Sequence, residues 1–179
     1  NETAFESLMA VEGTADTDNI NLGAQSLTIE GTISSITNAN NFTASTTGTV
    51  SGEIVNTTSV ADLTTLTNDQ ANASYTVTIS SGDNGTVTAA NLNRINTATT
   101  GSVNLTNVTA IGGSNLSDLT TLNAQRAGFS NIAGVAGITL TDDGGGGDGD
   151  VNFGDLDTIV NSYQDNFNTN VAFSFQTGD

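Results

Sequence analysis

A short phrase that recurs four times along the chain constrains its fold more than any other feature. In each copy an Asp or Asn is followed by Leu, then by two polar residues, then by Leu or Ile. Self-similarity at a period of roughly 20 to 50 residues is typical of proteins built from stacked structural units. The four copies are 29, 27 and 37 residues apart, measured at their leucines, Leu63, Leu92, Leu119 and Leu156.

Each copy of the phrase is predicted to form a short helix, because its apolar residues fall three positions apart and line one helical face. A residue that commonly caps a helix N-terminus stands three positions before the Asp or Asn of every copy. These predicted N-cap residues are Ser59, Thr88, Asn115 and Asn152.

Alternating apolar and polar residues between the predicted helices indicate strands, at residues 75–79, 103–108, 138–140 and 171–175. One strand and one helix cannot bury both of their faces, so each unit must stack on its neighbours. Parallel strands that are joined through helices wind in a right-handed sense. The sequence therefore predicts an α/β fold, a right-handed repeat solenoid of strand–short helix units.

Residues 1–50 lack the helical phrase and contain strand-like runs at 19–22, 26–36 and 47–55. We therefore predict two regions. Residues 1–50 form a β-only N-terminal region, and residues 51–179 form the strand–helix repeat solenoid.

Three stretches within the repeats resemble a known class of protein. They are TVTAANLN at residues 86–93, GSVNLTNVTAI at 101–111 and LSDLTTLN at 116–123. They are similar to the Thr/Asn/Asp-rich repeats of very large surface or secreted proteins of marine cyanobacteria and of structural proteins of their phages. The resemblance implies a repeat-built extracellular or virion component. Leucine-rich repeats are an alternative interpretation, although the period drifts and their fixed asparagine ladder is missing.

The charge of the chain excludes several classes of partner. It has 19 acidic residues against two arginines and no lysine or histidine, so its net charge is −17. Such a surface repels phosphate groups, and we expect neither nucleic-acid binding nor attraction to anionic lipid. No apolar run approaches the roughly 20 residues that span a bilayer, so we expect no membrane insertion. Cations screen this charge outside the cell, which favours an extracellular or cell-surface location, or alternatively a virion.

The composition also argues against catalysis. Without His, Cys or Lys, the chain lacks the usual general base, the thiolate nucleophile and the amine that forms Schiff bases. A pair of carboxylates could still hydrolyse a polysaccharide, and with no Trp in the chain only Tyr75 and Tyr163 could flank the sugar. We predict that the protein is not an enzyme, with an acid-based hydrolase or lyase as the alternative. Arg94 and Arg126 are predicted to pair with neighbouring acids.

One stretch, residues 142–155, has the chemistry of a metal site. Calcium prefers six to eight oxygen ligands on a flexible loop, and this stretch combines several carboxylates with six glycines that permit tight turns. From Asp148 onward it resembles a dockerin or EF-hand loop. The resemblance implies ligands at Asp148, Asp150, Asn152 and Asp155, although Gly144 and Gly146 stand at the first two ligand positions.

The predicted cofactor is therefore Ca²⁺. An alternative is an acidic loop inserted in a turn, in which Asn152 and Asp155 only cap the next helix. The candidate metal-binding residues are Asp143, Asp148, Asp150, Asn152 and Asp155.

Together these features predict an extracellular structural or adhesive protein, a self-assembling component of a surface filament, sheath or adhesin. The expected partners are further copies of the chain, as a homo-oligomer or polymer, or further repeats of a longer chain. The alternative is a phage virion protein, such as a fibre or decoration protein. The last predicted strand, 171–175, is expected either to pair with residues 26–36 of another copy or to continue into further repeats of a longer chain. The alternative is that it folds back on its own last helix, with Phe173 and Phe175 against Phe153 and Tyr163.

Overall fold

A computed structural model describes residues 22–55, 59–67, 72–79, 85–141, 153–166 and 172–176. Along these residues, short strands alternate with helices. The strands are β1 (Leu27–Ile33), β2 (Val50–Val55), β3 (Ala73–Thr78), β4 (Thr86–Val87), β5 (Val103–Asn104), β6 (Ala110–Ser114), β7 (Phe129–Ser130), β8 (Gly137–Thr141) and β9 (Ala172–Gln176). The helices are α1 (Ile36–Ala44), α2 (Val60–Leu63), α3 (Ala89–Thr97), α4 (Leu116–Ala124) and α5 (Phe153–Asn166).

The strands form two sheets in which every described pair is parallel. Sheet A has the strand order β1-β2-β3-β5-β7, and sheet B has the order β4-β6-β8-β9. Parallel neighbours cannot be joined by a tight hairpin, and the chain must cross over between them. The prediction of an α/β fold with parallel strands is confirmed.

Paired strands lie at similar distances along the sequence. In sheet A, Ile54 pairs with Val77, 23 residues on, and Val77 pairs with Val103, 26 residues on. In sheet B, Ile111 pairs with Ile138, 27 residues on. Successive stretches of about the same length therefore place equivalent strands side by side.

The apolar faces of the strands and helices meet in one buried cluster. The predicted helical phrase supplies Leu63, Leu92 and Leu119, each of which is fully buried. The strands of sheet A supply a row of directly paired residues, which are Ile33, Ile54, Val77, Val103 and Phe129.

Two of the four predicted N-caps form the expected hydrogen bond. The Thr88 hydroxyl accepts from the Asn91 N–H at 3.2 Å, and the Asn115 side chain accepts from the Asp118 N–H at 2.8 Å. Ser59 precedes α2 but makes no capping hydrogen bond through its side chain. Asn152 lies outside the described residues.

The prediction that residues 1–50 contain only β-structure is wrong, because α1 lies among them. This helix begins after Ser35, whose hydroxyl accepts from the Asn38 N–H at 3.4 Å. Its buried residues Ala39 and Phe42 are spaced as in the other helices. The division of the chain at residue 50 stays a prediction.

The strand predicted at residues 103–108 is shorter than expected and ends at Asn104. The Asn104 Oδ1 atom accepts from both the backbone N–H and the hydroxyl of Thr106, at 3.0 and 2.7 Å. This local side-chain turn competes with the strand for the backbone and ends it. The other three predicted strands correspond to β3, β8 and β9.

Candidate functional site

The predicted calcium ligands fall almost entirely outside the described residues. Asp143, Asp148, Asp150 and Asn152 lie there, and Asp155 is placed only as a backbone position in the first turns of α5. Among the residues that the structure does describe, no three His, Cys, Asp or Glu side chains lie close enough to hold a metal ion. The calcium site stays a prediction.

The two tyrosines are buried and cannot flank a bound sugar. The Tyr75 hydroxyl donates to the Ala39 carbonyl at 2.8 Å, and the Tyr163 hydroxyl donates to the Leu119 carbonyl at 2.7 Å. Ala39 lies in α1 and Leu119 lies in α4, so each tyrosine links a later segment of the chain to an earlier helix. Burial raises the pKa of both phenols, because it disfavours the phenolate.

The two arginines donate to helix-end carbonyls, and no hydrogen bond is seen between either of them and an acidic side chain of the described residues. Their expected pairing with neighbouring acids stays a prediction. The half-buried Arg94 donates from Nη2 to the Leu66 carbonyl, just after α2. The exposed Arg126 donates from Nη1 to the Asn123 carbonyl, in the last turn of α4. Carbonyls at a helix C-terminus have no partner within the helix and attract cationic side chains.

A Thr-Thr-Gly turn before β5, residues 99–101, is bonded to the backbone of β3. The Thr99 hydroxyl donates to the Tyr75 carbonyl at 2.8 Å and accepts from the Gly101 N–H at 3.0 Å. Thr100 donates to the Ala73 carbonyl from both its N–H and its hydroxyl, at 2.9 and 3.0 Å. A side chain at Gly101 would lie 2.1 Å from the Tyr75 carbonyl oxygen.

A second Thr-Thr-Gly turn, before β2, repeats this arrangement. The Thr46 hydroxyl donates to the carbonyls of Gly23 and Gln25 and accepts from the Gly48 N–H at 2.9 Å. A Cβ atom at Gly48 would lie 2.4 Å from the Gln25 carbonyl carbon. Sequence reasoning missed both turns, although the six-residue stretches STTGTV and ATTGSV, at residues 45–50 and 98–103, repeat visibly.

Asparagine amides make further bonds between segments that are far apart in sequence. The Asn72 Nδ2 atom donates to the Thr43 carbonyl, at the end of α1, and to the Thr46 and Gly48 carbonyls in the turn before β2, at 2.7 to 3.3 Å. Asn40 donates to the Thr65 carbonyl at 3.1 Å, and Asn93 donates to the Asp118 carbonyl at 2.9 Å. The abundance of Asn therefore has a structural role in these three places.

The outward face of sheet A is polar and carries carboxylates. Hydroxyls pair across it, as in Ser51 with Thr28 at 3.2 Å and Ser102 with Ser130 at 3.1 Å. Glu53 is exposed in the middle of β2, directly beside Thr76 of β3.

The outward face of sheet B differs because its described side chains are all uncharged and small. Thr139 and Ser174 pair through their hydroxyls at 2.9 Å near its centre. The other described residues of this face are Thr86, Ala110, Gly112, Gly137 and Ala172, which alternate with buried or half-buried residues of the same strands.

No described helix is both long and apolar enough to cross a bilayer. In comparisons with known proteins, no family model, no curated protein and no solved structure matches the chain.

Proposed function

We propose that this protein is an extracellular structural or adhesive component, built as a right-handed solenoid of strand–helix units, that self-assembles into a surface filament, sheath or adhesin. The observation that carries the proposal is the set of contacts between residues one unit apart. From the first described strand to the eighth, paired strand residues are 21 to 27 positions apart. The turn threonines and the asparagine amides bond to backbone 21 to 29 positions away.

Such contacts favour a structural role, because each unit uses its polar side chains to hold its neighbour. The threonine hydroxyls and asparagine amides of the turns donate hydrogen bonds to backbone carbonyls of the preceding unit. In a stacked array, stability comes from these nearest-neighbour interfaces, and further units can be added at either end.

The proposal that the protein is not an enzyme rests on its composition and on the two tyrosines. The chain has no His, Cys or Lys. Its two tyrosine hydroxyls donate to backbone carbonyls in the core, which removes the only aromatic rings expected to contact a sugar.

Negative-stain electron microscopy and sedimentation velocity test self-assembly directly. We expect larger species to appear as the protein concentration rises, and more of them in millimolar Ca²⁺, because divalent cations screen the repulsion between copies of net charge −17. Particles that stay strictly monomeric at high concentration in the presence of Ca²⁺ would contradict the proposed function.

We also propose that Ca²⁺ binds the loop that contains Asp148 and Asp150. Calcium is expected to raise the melting temperature at low ionic strength, and the double variant Asp148→Ala/Asp150→Ala should lose most of that increase. The matched control is Glu30→Gln/Glu53→Gln. It also removes two negative charges, but from β1 and β2, and it should keep the increase in melting temperature.

Differential scanning calorimetry with and without a chelator distinguishes the possibilities. Equal losses in the two double variants would show a diffuse effect of charge without a specific site. A melting temperature that the chelator does not change would disprove both the specific calcium site and the diffuse effect of charge.

A further inference from the structure

The negative charge of the chain is concentrated toward its two ends. Residues 1–69 carry nine acids and residues 142–179 carry eight, with no arginine in either stretch. Residues 70–141 carry two acids, Asp83 and Asp118, and both arginines, so their net charge is zero. A molecule of net charge −17 therefore has a neutral middle.

This distribution opposes end-to-end contact between copies. The first strands of sheet A carry the exposed carboxylates Glu30 and Glu53, and α5, near the other end of the chain, carries the exposed Asp157. Bringing two such ends together places like charges side by side, which costs free energy unless cations intervene.

The outward faces of the two sheets also differ in charge. On sheet A, Glu53 stands in the row of Thr32 and Thr76, so two copies that met through this face would bring carboxylates together. On sheet B, the described outward residues are Thr, Ser, Ala and Gly only. The outward face of sheet B is the one described sheet face that two copies can bring together without opposing charges.

The shape of sheet B also suits such a contact. Ala110, Gly137 and Ala172 pair in one row across β6, β8 and β9, and Ala172 and Ser174 are exposed. Side chains of this size let two sheets approach closely, and the Ala and Thr methyl groups supply apolar area whose burial is favourable. None of the side chains described on this face is charged, so none of them has to give up the hydration of a charge when the contact forms.

We infer that a second copy of this chain docks on the outward face of sheet B, so that copies associate laterally, face to face. The inference rests on the self-assembly in the proposed function and names one surface that takes part in it. By itself this face-to-face contact joins two copies. Four strands at about 4.8 Å and five residues at about 3.3 Å give a face of about 300 Å². That is well below the roughly 800 Å² per partner of a stable complex. Association should therefore be weak and strongly dependent on concentration.

Adding a charge to this face tests the inference. Thr139→Glu places a carboxylate at the centre of sheet B in both copies, and Ala172→Glu places one on its edge strand. Thr76→Glu is the matched control, because it makes the same change at an exposed strand position of sheet A. We expect the sheet B variants to weaken self-association about tenfold or more in sedimentation velocity over a concentration series, and the control to match the wild type.

Circular dichroism and the melting temperature establish that each variant is folded, and Ala172→Glu, at an exposed position, decides the question if Thr139→Glu does not fold. If the wild type associates and both sheet B variants associate equally well, the surface is wrong while self-assembly stands. If Thr76→Glu weakens association as much as the sheet B variants, the choice of sheet B is overturned. If the wild type stays monomeric with and without Ca²⁺, the proposed self-assembly fails, and this contact fails with it.

Discussion

Replacing Gly101 by Ala is expected to lower the free energy of unfolding by about 3 kcal/mol, at the upper end of the usual cost of overpacking. A Cβ atom at this position would lie 2.1 Å from the Tyr75 carbonyl oxygen and 2.6 Å from its carbonyl carbon. Both atoms belong to the backbone of β3, so no side-chain rotation relieves the clash. The turn before β5 would have to move away from β3.

The movement would also break hydrogen bonds between this turn and β3. Thr99 and Thr100 donate to the Tyr75 and Ala73 carbonyls only because the turn lies so close to β3. Urea unfolding followed by circular dichroism measures the effect. Gly137→Ala is the matched control, because the nearest atom to its Cβ would be the Ala110 Cβ at an ordinary 3.8 Å.

Gly48→Ala should repeat the result, since its Cβ would lie 2.4 Å from the backbone of Gln25. If Gly101→Ala and Gly48→Ala unfold at the same urea concentration as Gly137→Ala, the close approach of the Thr-Thr-Gly turns does not contribute to stability.

Alkaline pH is expected to unfold the protein through its two tyrosines. The chain has no Cys or Lys, so the phenols of Tyr75 and Tyr163 are the side chains that ionise between about pH 9 and pH 12 once the chain is unfolded. Burial holds the pKa of both phenols above the ordinary value of 10.0. The neutral form is therefore favoured in the native state.

The sign of the pH dependence follows from that direction. Below about pH 10 the phenols are neutral in both the native and the unfolded state, and their contribution to stability is fully present. Above it the unfolded state loses protons while the native state keeps them, so stability falls as pH rises toward the native pKa values. Phenolate absorbance and circular dichroism should change together.

The double variant Tyr75→Phe/Tyr163→Phe provides the test. At pH 7 it should be less stable than the wild type, by about 1 kcal/mol for each lost hydrogen bond to Ala39 and Leu119. Above about pH 11 the order should reverse, because ionisation of the unfolded state then costs the wild type more than about 1 kcal/mol for each phenol, while the variant has no phenol to ionise. Unfolding of the wild type and the variant at the same alkaline pH would show that tyrosine ionisation is not the cause.

Local sequence patterns were sufficient wherever neighbouring residues decide the structure. The helices that contain Leu92 and Leu119 follow from apolar spacing and from the caps at Thr88 and Asn115, which act over three residues. Helix α1 was missed because Ala39 stands where the other copies have leucine, although Ser35 and Asn38 repeat the capping pattern. A search that required the cap and the second apolar residue, without the leucine, would have found it.

Contacts between segments that are far apart in sequence could not be predicted from local sequence patterns. Thr99 and Gly101 are ordinary turn residues in sequence. Because the β3 backbone lies so close to them, the Thr99 hydroxyl can donate to the Tyr75 carbonyl, and no side chain fits at Gly101. Arg94 could have paired with any acid, but the helix-end carbonyl of Leu66 lies within its reach.

By itself, the sequence determined the α/β class, the parallel strands, the position of most helices and the excess of negative charge. These depend on periodicity and composition, which are properties of the chain before it folds. Only the tertiary structure decided how the strands divide between two sheets, which carbonyls receive the Tyr75 and Tyr163 hydroxyls, and which sheet face has no charge among its described side chains. Those outcomes depend on the register between segments 21 or more residues apart, which is set by packing of the whole core and leaves no local pattern in the sequence.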